Sequence, residues 1–217
     1  MGEIQAIIFD MDGVLIDSEP INLKVETENL DALGFPIPKE ISRTFIGASK
    51  KAVQAKIQGV YPEIDLEKLQ TEMDNRKKQV TIEYATIVFP ELVESLQYLK
   101  NKGIPMAVAS STYHDKVKVI LKEADLIHYF DVIIGGDCVE NSKPDPEIFL
   151  KIATELHVSP KNCLVVEDSH NGVKAASRAG MYIVGKNDDR FDQDISCADE
   201  FFDTYDEFLK SMKNKFE

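Results

Sequence analysis

Short apolar runs separated by amphipathic stretches govern most of this chain. Ile4, Ala6, Ile7, Ile8 and Phe9 form the first run, short and hydrophobic enough for a strand buried on both faces. From residue 87 onward the pattern recurs at 104–109, 132–134, 163–166 and 182–184. Helical spacing fills the gaps: Leu92, Val93, Leu96 and Leu99 fall on one face of a segment 90–102 that stops at Gly103, a left-handed cap. Asp145-Pro146 reads as the N-cap and first turn of a helix carrying Phe149, Ile152, Ala153 and Leu156, and 172–179 repeats the pattern before Gly180. Strand alternating with helix predicts an α/β fold, a parallel sheet with helices on both faces.

Residues 17–84 break this alternation. They carry three helical stripes, Leu23/Leu30/Leu33, Ala52/Val53/Ile57 and Leu66/Leu69/Met73, punctuated by Gly34-Phe35-Pro36 and Tyr61-Pro62-Glu63. The expected organisation is an α/β core from 1–16 and 85–217 with a small α-helical domain, 17–84, inserted directly after the first strand. A module entering and leaving at that point is expected to act as a cap over the strand's carboxyl end, excluding water and selecting substrates.

The 217 residues suffice for one good core plus a subdomain. A net charge of -13 opposes nonspecific binding to nucleic acid or to an anionic membrane, so neither is expected as a partner. Cys138, Cys163 and Cys197 lack metal-ligand spacing and cannot all pair, which fits a reducing compartment. The amino terminus runs straight into a strand without a basic or long apolar leader, and no run reaches membrane-spanning length. A soluble, cytoplasmic protein is expected, with monomer as the default state.

The chemistry concentrates where the first strand ends, in Asp10-Met11-Asp12-Gly13-Val14. Open parallel sheets bind ligands at the carboxyl ends of their strands. Two carboxylates one residue apart repel, and both stay ionised at neutral pH only with a cation or cationic side chain between them. Taken alone, the segment reads equally well as an Asp-Gly turn.

Three further segments narrow the choice: Val108-Ala109-Ser110-Ser111, Ser142-Lys143-Pro144-Asp145-Pro146 and Val165-Val166-Glu167-Asp168-Ser169. In this order, after Asp10-Met11-Asp12-Gly13-Val14, they resemble the four motifs of the haloacid dehalogenase superfamily over nearly the whole chain. Leu15-Ile16-Asp17-Ser18-Glu19-Pro20 is similar to the branch holding β-phosphoglucomutase and small sugar-phosphate phosphatases. The resemblance implies a Rossmann-like core, a helical cap and phosphoryl transfer from a small phosphorylated metabolite. It makes Asp10 the nucleophile and Asp12 the group that protonates the leaving oxygen and then deprotonates the attacking water or hydroxyl. It assigns Mg²⁺ to the Asp10 carboxylate, the Asp12 backbone carbonyl and Asp168, with Glu167 contributing directly or through water. Ser110, the Ser111 amide and Lys143 would bind the phosphoryl group.

Within the superfamily, Asp12 argues against the dehalogenase and phosphonatase branches. Hydrolase and mutase differ in the acceptor. β-Phosphoglucomutases usually carry a His shortly after the first motif and an Arg after the first Gly-x-Ser of the cap. Here those stretches read Glu19-Pro20-Ile21-Asn22 and Ile46-Gly47-Ala48-Ser49-Lys50, so the His is absent and Lys50 replaces the Arg. Lysine lacks arginine's bidentate grip on a second phosphate. The mutase's cap lysine has no clear counterpart, although Arg76, Lys77 and Lys78 lie nearby. A phosphatase is therefore expected ahead of a mutase, and both ahead of a silent phosphate-binding scaffold, because no motif is eroded. Asn22, Lys50, Lys51 and Arg76 are the candidate recognition residues of the cap. His114, His128 and His157 are read as solvated or capping; His170, next to the fourth motif, is placed to contact product.

Overall fold

The computed structural model describes residues 3–46, 48, 50–77, 81–191 and 193–216, without the side chains of Lys50 and Lys77. It divides into two compact units, Met1–Asp17 with Glu83–Asp189 and Gln193–Glu217, and Ser18–Ile82 with Arg190–Asp192.

The first unit is built on a parallel sheet whose strands are β1 (Ala6–Phe9), β2 (Met106–Ala109), β3 (Val132–Ile134), β4 (Cys163–Glu167), β5 (Tyr182–Lys186) and β6 (Glu200–Phe202). Their order is β3-β2-β1-β4-β5-β6, with β1 paired to both β2 and β4. Pleating sends successive side chains to opposite faces. Ile7 and Phe9 join one apolar cluster with Leu92, Leu96 and Leu99 of α5 (Leu92–Asn101), Val117 and Leu121 of α6 (His114–Glu123), and Phe208 of α9 (Tyr205–Phe216). Ala6 and Ile8 join the other, with Ile148, Phe149 and Ile152 of α7 (Glu147–Glu155) and Val173 and Ala176 of α8 (His170–Arg178). The α/β architecture with helices on both faces is as expected.

Several details differ from expectation: α7 begins at Glu147 with Pro146 as its N-cap, one residue beyond the cap expected at Asp145, and α8 begins at His170, two residues before the expected start, because the Ser169 side chain caps it there. The helix foreseen from Pro90 starts at Leu92, because Glu91 takes a left-handed backbone conformation with φ 58°. The sheet also extends past β5 to β6, whose two phenylalanines, Phe201 and Phe202, stand between Glu200 and Asp203 and so are too short an apolar run to mark a strand.

That last strand is latched to α9. Glu200 accepts from the Tyr182 hydroxyl at 2.7 Å, Lys215 Nζ at 2.5 Å and Ser211 Oγ at 3.1 Å. Burial pushes the Glu200 carboxyl up, but these partners more than reverse it and hold it below its ordinary value of 4.5. A depressed carboxylate contributes stability that is present above its unfolded pKa and lost as pH falls through the folded one. Glu200→Gln should therefore cost about 1 kcal/mol at pH 7, a modest figure because solvent screens the group. The gap between the thermal melts of the two proteins should narrow as pH falls below the ordinary carboxylate value of 4.5.

The second unit comprises α1 (Glu19–Ala32), α2 (Lys39–Ser42), α3 (Lys50–Val60) and α4 (Leu66–Lys77). Its core is Leu30, Phe45, Ile57, Leu69 and Met73, with Leu23, Leu33 and Val53 partly buried against it. A cavity of about 300 Å³ inside this unit has Glu19, Asn22, Glu26, Gln54, Gln70 and Asp74 among its polar lining. No helix among the described residues is long and apolar enough to cross a membrane.

Candidate active site

The carboxyl ends of β1, β2 and β4 and the loop after β3 bring the expected residues of the core unit together. After β1 the chain turns sharply: Met11 O accepts from the Leu15 and Ile16 amides at 2.8 and 3.2 Å, and the Gly13 amide donates to Ile16 O at 2.9 Å. Gly13 has φ 77°, and a Cβ there would lie 2.0 Å from Asp168 Oδ2. Glycine is required twice over, for the backbone conformation and for the approach of Asp168. The buried Tyr205 hydroxyl locks the turn by donating to Val14 O at 2.6 Å. Burial, followed by the Asp168 charge, pushes the Tyr205 phenol well above its usual range.

Lys143 reaches the end of β1 from 133 residues along the chain. Its Nζ donates to Asp10 Oδ1 at 2.5 Å, Glu167 Oε1 at 2.7 Å and Ala109 O at 3.0 Å, which accounts for all three ammonium protons. Asp10 and Lys143 are 8% and 9% exposed and Glu167 is wholly buried, so little water competes for these contacts. Burial pulls the ammonium's pKa down, but Asp10 and Glu167 outweigh it and hold Lys143 above its ordinary range, fully charged. For Asp10, burial dominates: it pushes the carboxyl up to about 8, with Lys143 opposing and the charges of Glu167 and Asp12 adding to the rise.

The loop after β2 supplies the hydroxyls. Ser110 is fully buried, and its Oγ accepts from the Thr112 amide at 3.1 Å, which leaves the hydroxyl proton to donate elsewhere. Ser111 is exposed. Thr112 Oγ1 donates to Asp12 Oδ2 at 3.4 Å. Nothing in the pattern singled Thr112 out; its only signal is its place two residues beyond Ser110. Two glycines after β3 clamp this loop. A Cβ on Gly135 would lie 2.2 Å from His114 N, and one on Gly136 would lie 2.5 Å from Ser111 O. Both obstacles are backbone, so the loop itself must shift. Gly135→Ala should preserve the fold yet weaken competitive inhibition by inorganic phosphate, with kcat/KM down about 10²-fold; steady-state kinetics with phosphate titration checks this.

The donor set suits a hard divalent cation. Asp168 is pressed against the Asp12-Gly13 turn, and Asp10 is a buried carboxylate that one lysine leaves reluctant to ionise. Two carboxylates and a backbone carbonyl are the oxygen ligands such an ion takes, with water completing its shell. Among the described residues no group of three His, Cys, Asp or Glu side chains converges on one point.

Other expectations land elsewhere. The side chain of Lys50, with Gly47, Ser49 and Lys78, lies outside the described residues. Asn22 lines the cavity of the helical unit. His170 Nδ1 sits 3.0 Å from Asp194 O.

Comparison with known proteins agrees with this geometry. Residues 7–186 match the family model of the haloacid dehalogenase-like hydrolases, and the chain belongs to that family. Over 185 residues it is 36% identical to a phosphorylated carbohydrates phosphatase of Thermotoga maritima, covering 82% of each chain. Over 204 residues it is 31% identical to the phosphoglycolate phosphatase of Escherichia coli, covering 84% of this chain and 81% of that one. Among solved structures, CbbY from Rhodobacter sphaeroides in complex with phosphate shares 25% identity at a TM-score of 0.75, covering 94% of this chain and 96% of that one. The β-phosphoglucomutase of Clostridium difficile shares the fold, with a TM-score of 0.79 at 23% identity over 98% of this chain and 97% of that one. The protein is an enzyme of the phosphohydrolase type.

Proposed function

We propose that the enzyme is a Mg²⁺-dependent phosphatase of small phosphorylated metabolites, sugar phosphates foremost, working through an aspartyl-phosphate on Asp10. The observation that carries this reading is the buried Asp10 carboxylate held 2.5 Å from Lys143 Nζ at the carboxyl end of β1. Asp10 attacks phosphorus as the bond from phosphorus to the alcohol oxygen breaks, and Asp12 gives that oxygen a proton. Water then attacks the aspartyl-phosphate, and Asp12 takes the water's proton back while Asp10 is released. Lys143 and the Ser110 hydroxyl neutralise and orient the nonbridging oxygens. The Asp10 and Asp168 carboxylates and the Asp12 carbonyl would hold Mg²⁺, which supplies positive charge to the transferring group.

We assign recognition of the alcohol portion to the helical unit. The described residues lining its cavity include the carboxylates of Glu19, Glu26 and Asp74 and no Lys, Arg or His. The mutase's histidine after the first motif is absent here and Lys50 stands where the mutase carries an arginine, which favours a phosphatase over a mutase, since the latter must grip a bisphosphate. The mutase reading draws on one specific likeness, a T. maritima crystal structure provisionally described as a β-phosphoglucomutase, 32% identical with a TM-score of 0.77 over 97% of this chain and 99% of that one.

Product analysis on a sugar-phosphate panel including β-glucose 1-phosphate separates the two. The phosphatase reading expects Mg²⁺-dependent release of inorganic phosphate. Conversion of β-glucose 1-phosphate to glucose 6-phosphate with little free phosphate would establish the mutase instead.

A further inference from the structure

We propose that Gln54, Gln70 and Asp74 form a directed chain of hydrogen bonds that reads the hydroxyls of the leaving alcohol, so that the preferred substrates are phosphate esters of sugars or sugar alcohols. The inference deepens the reading above, in which the helical unit recognises the alcohol, and rests on it. All three side chains line the cavity of about 300 Å³ in that unit, at the lower end of the roughly 300–1,000 Å³ of small-ligand sites. They bridge two helices: Gln54 lies on α3, and Gln70 and Asp74 stand one turn apart on α4. Gln54 Nε2 donates to Gln70 Oε1 at 3.2 Å, and Gln70 Nε2 donates to Asp74 Oδ1 at 2.7 Å.

The carboxylate fixes the sense of the chain. It only accepts, so Gln70 has to turn its NH₂ towards Asp74; its carbonyl then faces α3, and Gln54 has to present its own NH₂ in return. These two bonds use one N–H of each amide and the Gln70 carbonyl. Each amide keeps a second N–H, Gln54 keeps its carbonyl and Asp74 keeps Oδ2, so donors and acceptors alternate along the chain. A hydroxyl both donates and accepts, and it is the group that such a pattern fits. A carboxylate on the alcohol only accepts and would bring a like charge to Asp74. Phe45 and Ile57, buried residues lining the same cavity, offer an apolar wall to the C–H face of a sugar.

The test uses the full chain with Gln54→Leu, Gln70→Leu and Asp74→Asn. Steady-state kinetics are run on glucose 6-phosphate, its 2-, 3- and 4-deoxy analogues and mannitol 1-phosphate, and on phosphoglycolate and p-nitrophenyl phosphate, which present no free hydroxyl. Gln70→Leu should lower the ratio of kcat/KM for glucose 6-phosphate to that for p-nitrophenyl phosphate about 10-fold, through KM. At least one deoxy analogue should lose about 10-fold against the unaltered enzyme and little further against Gln70→Leu, because the two changes remove one interaction. Asp74 is exposed, so Asp74→Asn should fold where a leucine variant fails, and it should lower the same ratio. In ¹⁵N-labelled Asp10→Asn protein, glucose 6-phosphate should move the side-chain amide signals of both glutamines, and inorganic phosphate should move neither. Phosphoglycolate turned over ahead of every sugar phosphate, a ratio unchanged in all three variants, or glutamine signals that ignore glucose 6-phosphate would overturn the proposal. If the unaltered enzyme releases phosphate from no ester, the reaction assigned above falls, while the glutamine signals still decide whether this chain meets the sugar.

Discussion

Asp10→Asn should lower kcat for phosphate release by at least about 10⁴-fold, the scale on which removal of a covalent nucleophile is felt. The variant keeps the side chain's shape, and its Oδ1 can still accept from Lys143 Nζ. What it loses is the anionic oxygen that forms the bond to phosphorus. Stability should move the other way. Burial pushes the Asp10 carboxyl up to about 8, so at neutral pH the metal-free folded protein must take up a proton there that the unfolded chain does not hold, which costs stability. Asparagine carries no such burden, and Lys143 retains Glu167 and Ala109 O as partners. The metal-free variant should therefore melt at or above the temperature of the unaltered protein. Kinetics and thermal melts on one preparation check both halves, and a loss of both activity and stability would mark Asp10 as structural.

Asp12→Asn should lower kcat on sugar phosphates by about 10²- to 10⁴-fold, the contribution of a positioned general acid and base. The loss should depend on the leaving group. A sugar alkoxide is a poor leaving group and needs the proton from Asp12, whereas the p-nitrophenolate anion leaves readily without one. Formation of the aspartyl-phosphate from p-nitrophenyl phosphate should therefore suffer less, seen as a burst of p-nitrophenol that persists in the variant. Thr112 Oγ1 donates to Asp12 Oδ2 at 3.4 Å and so holds one of its two oxygens. Equal losses in the burst and in sugar-phosphate turnover would contradict the proton-transfer role.

The parts of the molecule that are local in sequence were the most legible. Apolar runs such as Ile7-Ile8-Phe9 and Leu164-Val165-Val166 are strands because a parallel sheet covered on both faces needs little else. Gly103 and Gly180 end helices with φ near 70° for the reason their positions suggest. β6 was not legible, since Glu200-Phe201-Phe202 gains its place from pairing with β5 and from the Glu200 latch to α9. In the site, the residue types of the four motifs could be read, but not their distribution of bonds. That Lys143 spends its protons on Asp10, Glu167 and Ala109 O depends on the ends of β1, β4 and β2 meeting the loop after β3 in space. The clamps made by Gly135 and Gly136 are equally invisible along the chain, because a glycine's reason for being is the backbone that approaches it.

The most direct test of the account is to trap the intermediate. Enzyme turning over a sugar phosphate with Mg²⁺ is quenched rapidly and treated with borohydride, which reduces an aspartyl-phosphate to homoserine, and the digest is read by mass spectrometry. The account predicts homoserine at position 10 only when substrate and Mg²⁺ are both present. Continued phosphate release with aspartate intact at position 10, or homoserine appearing at another aspartate, would contradict it.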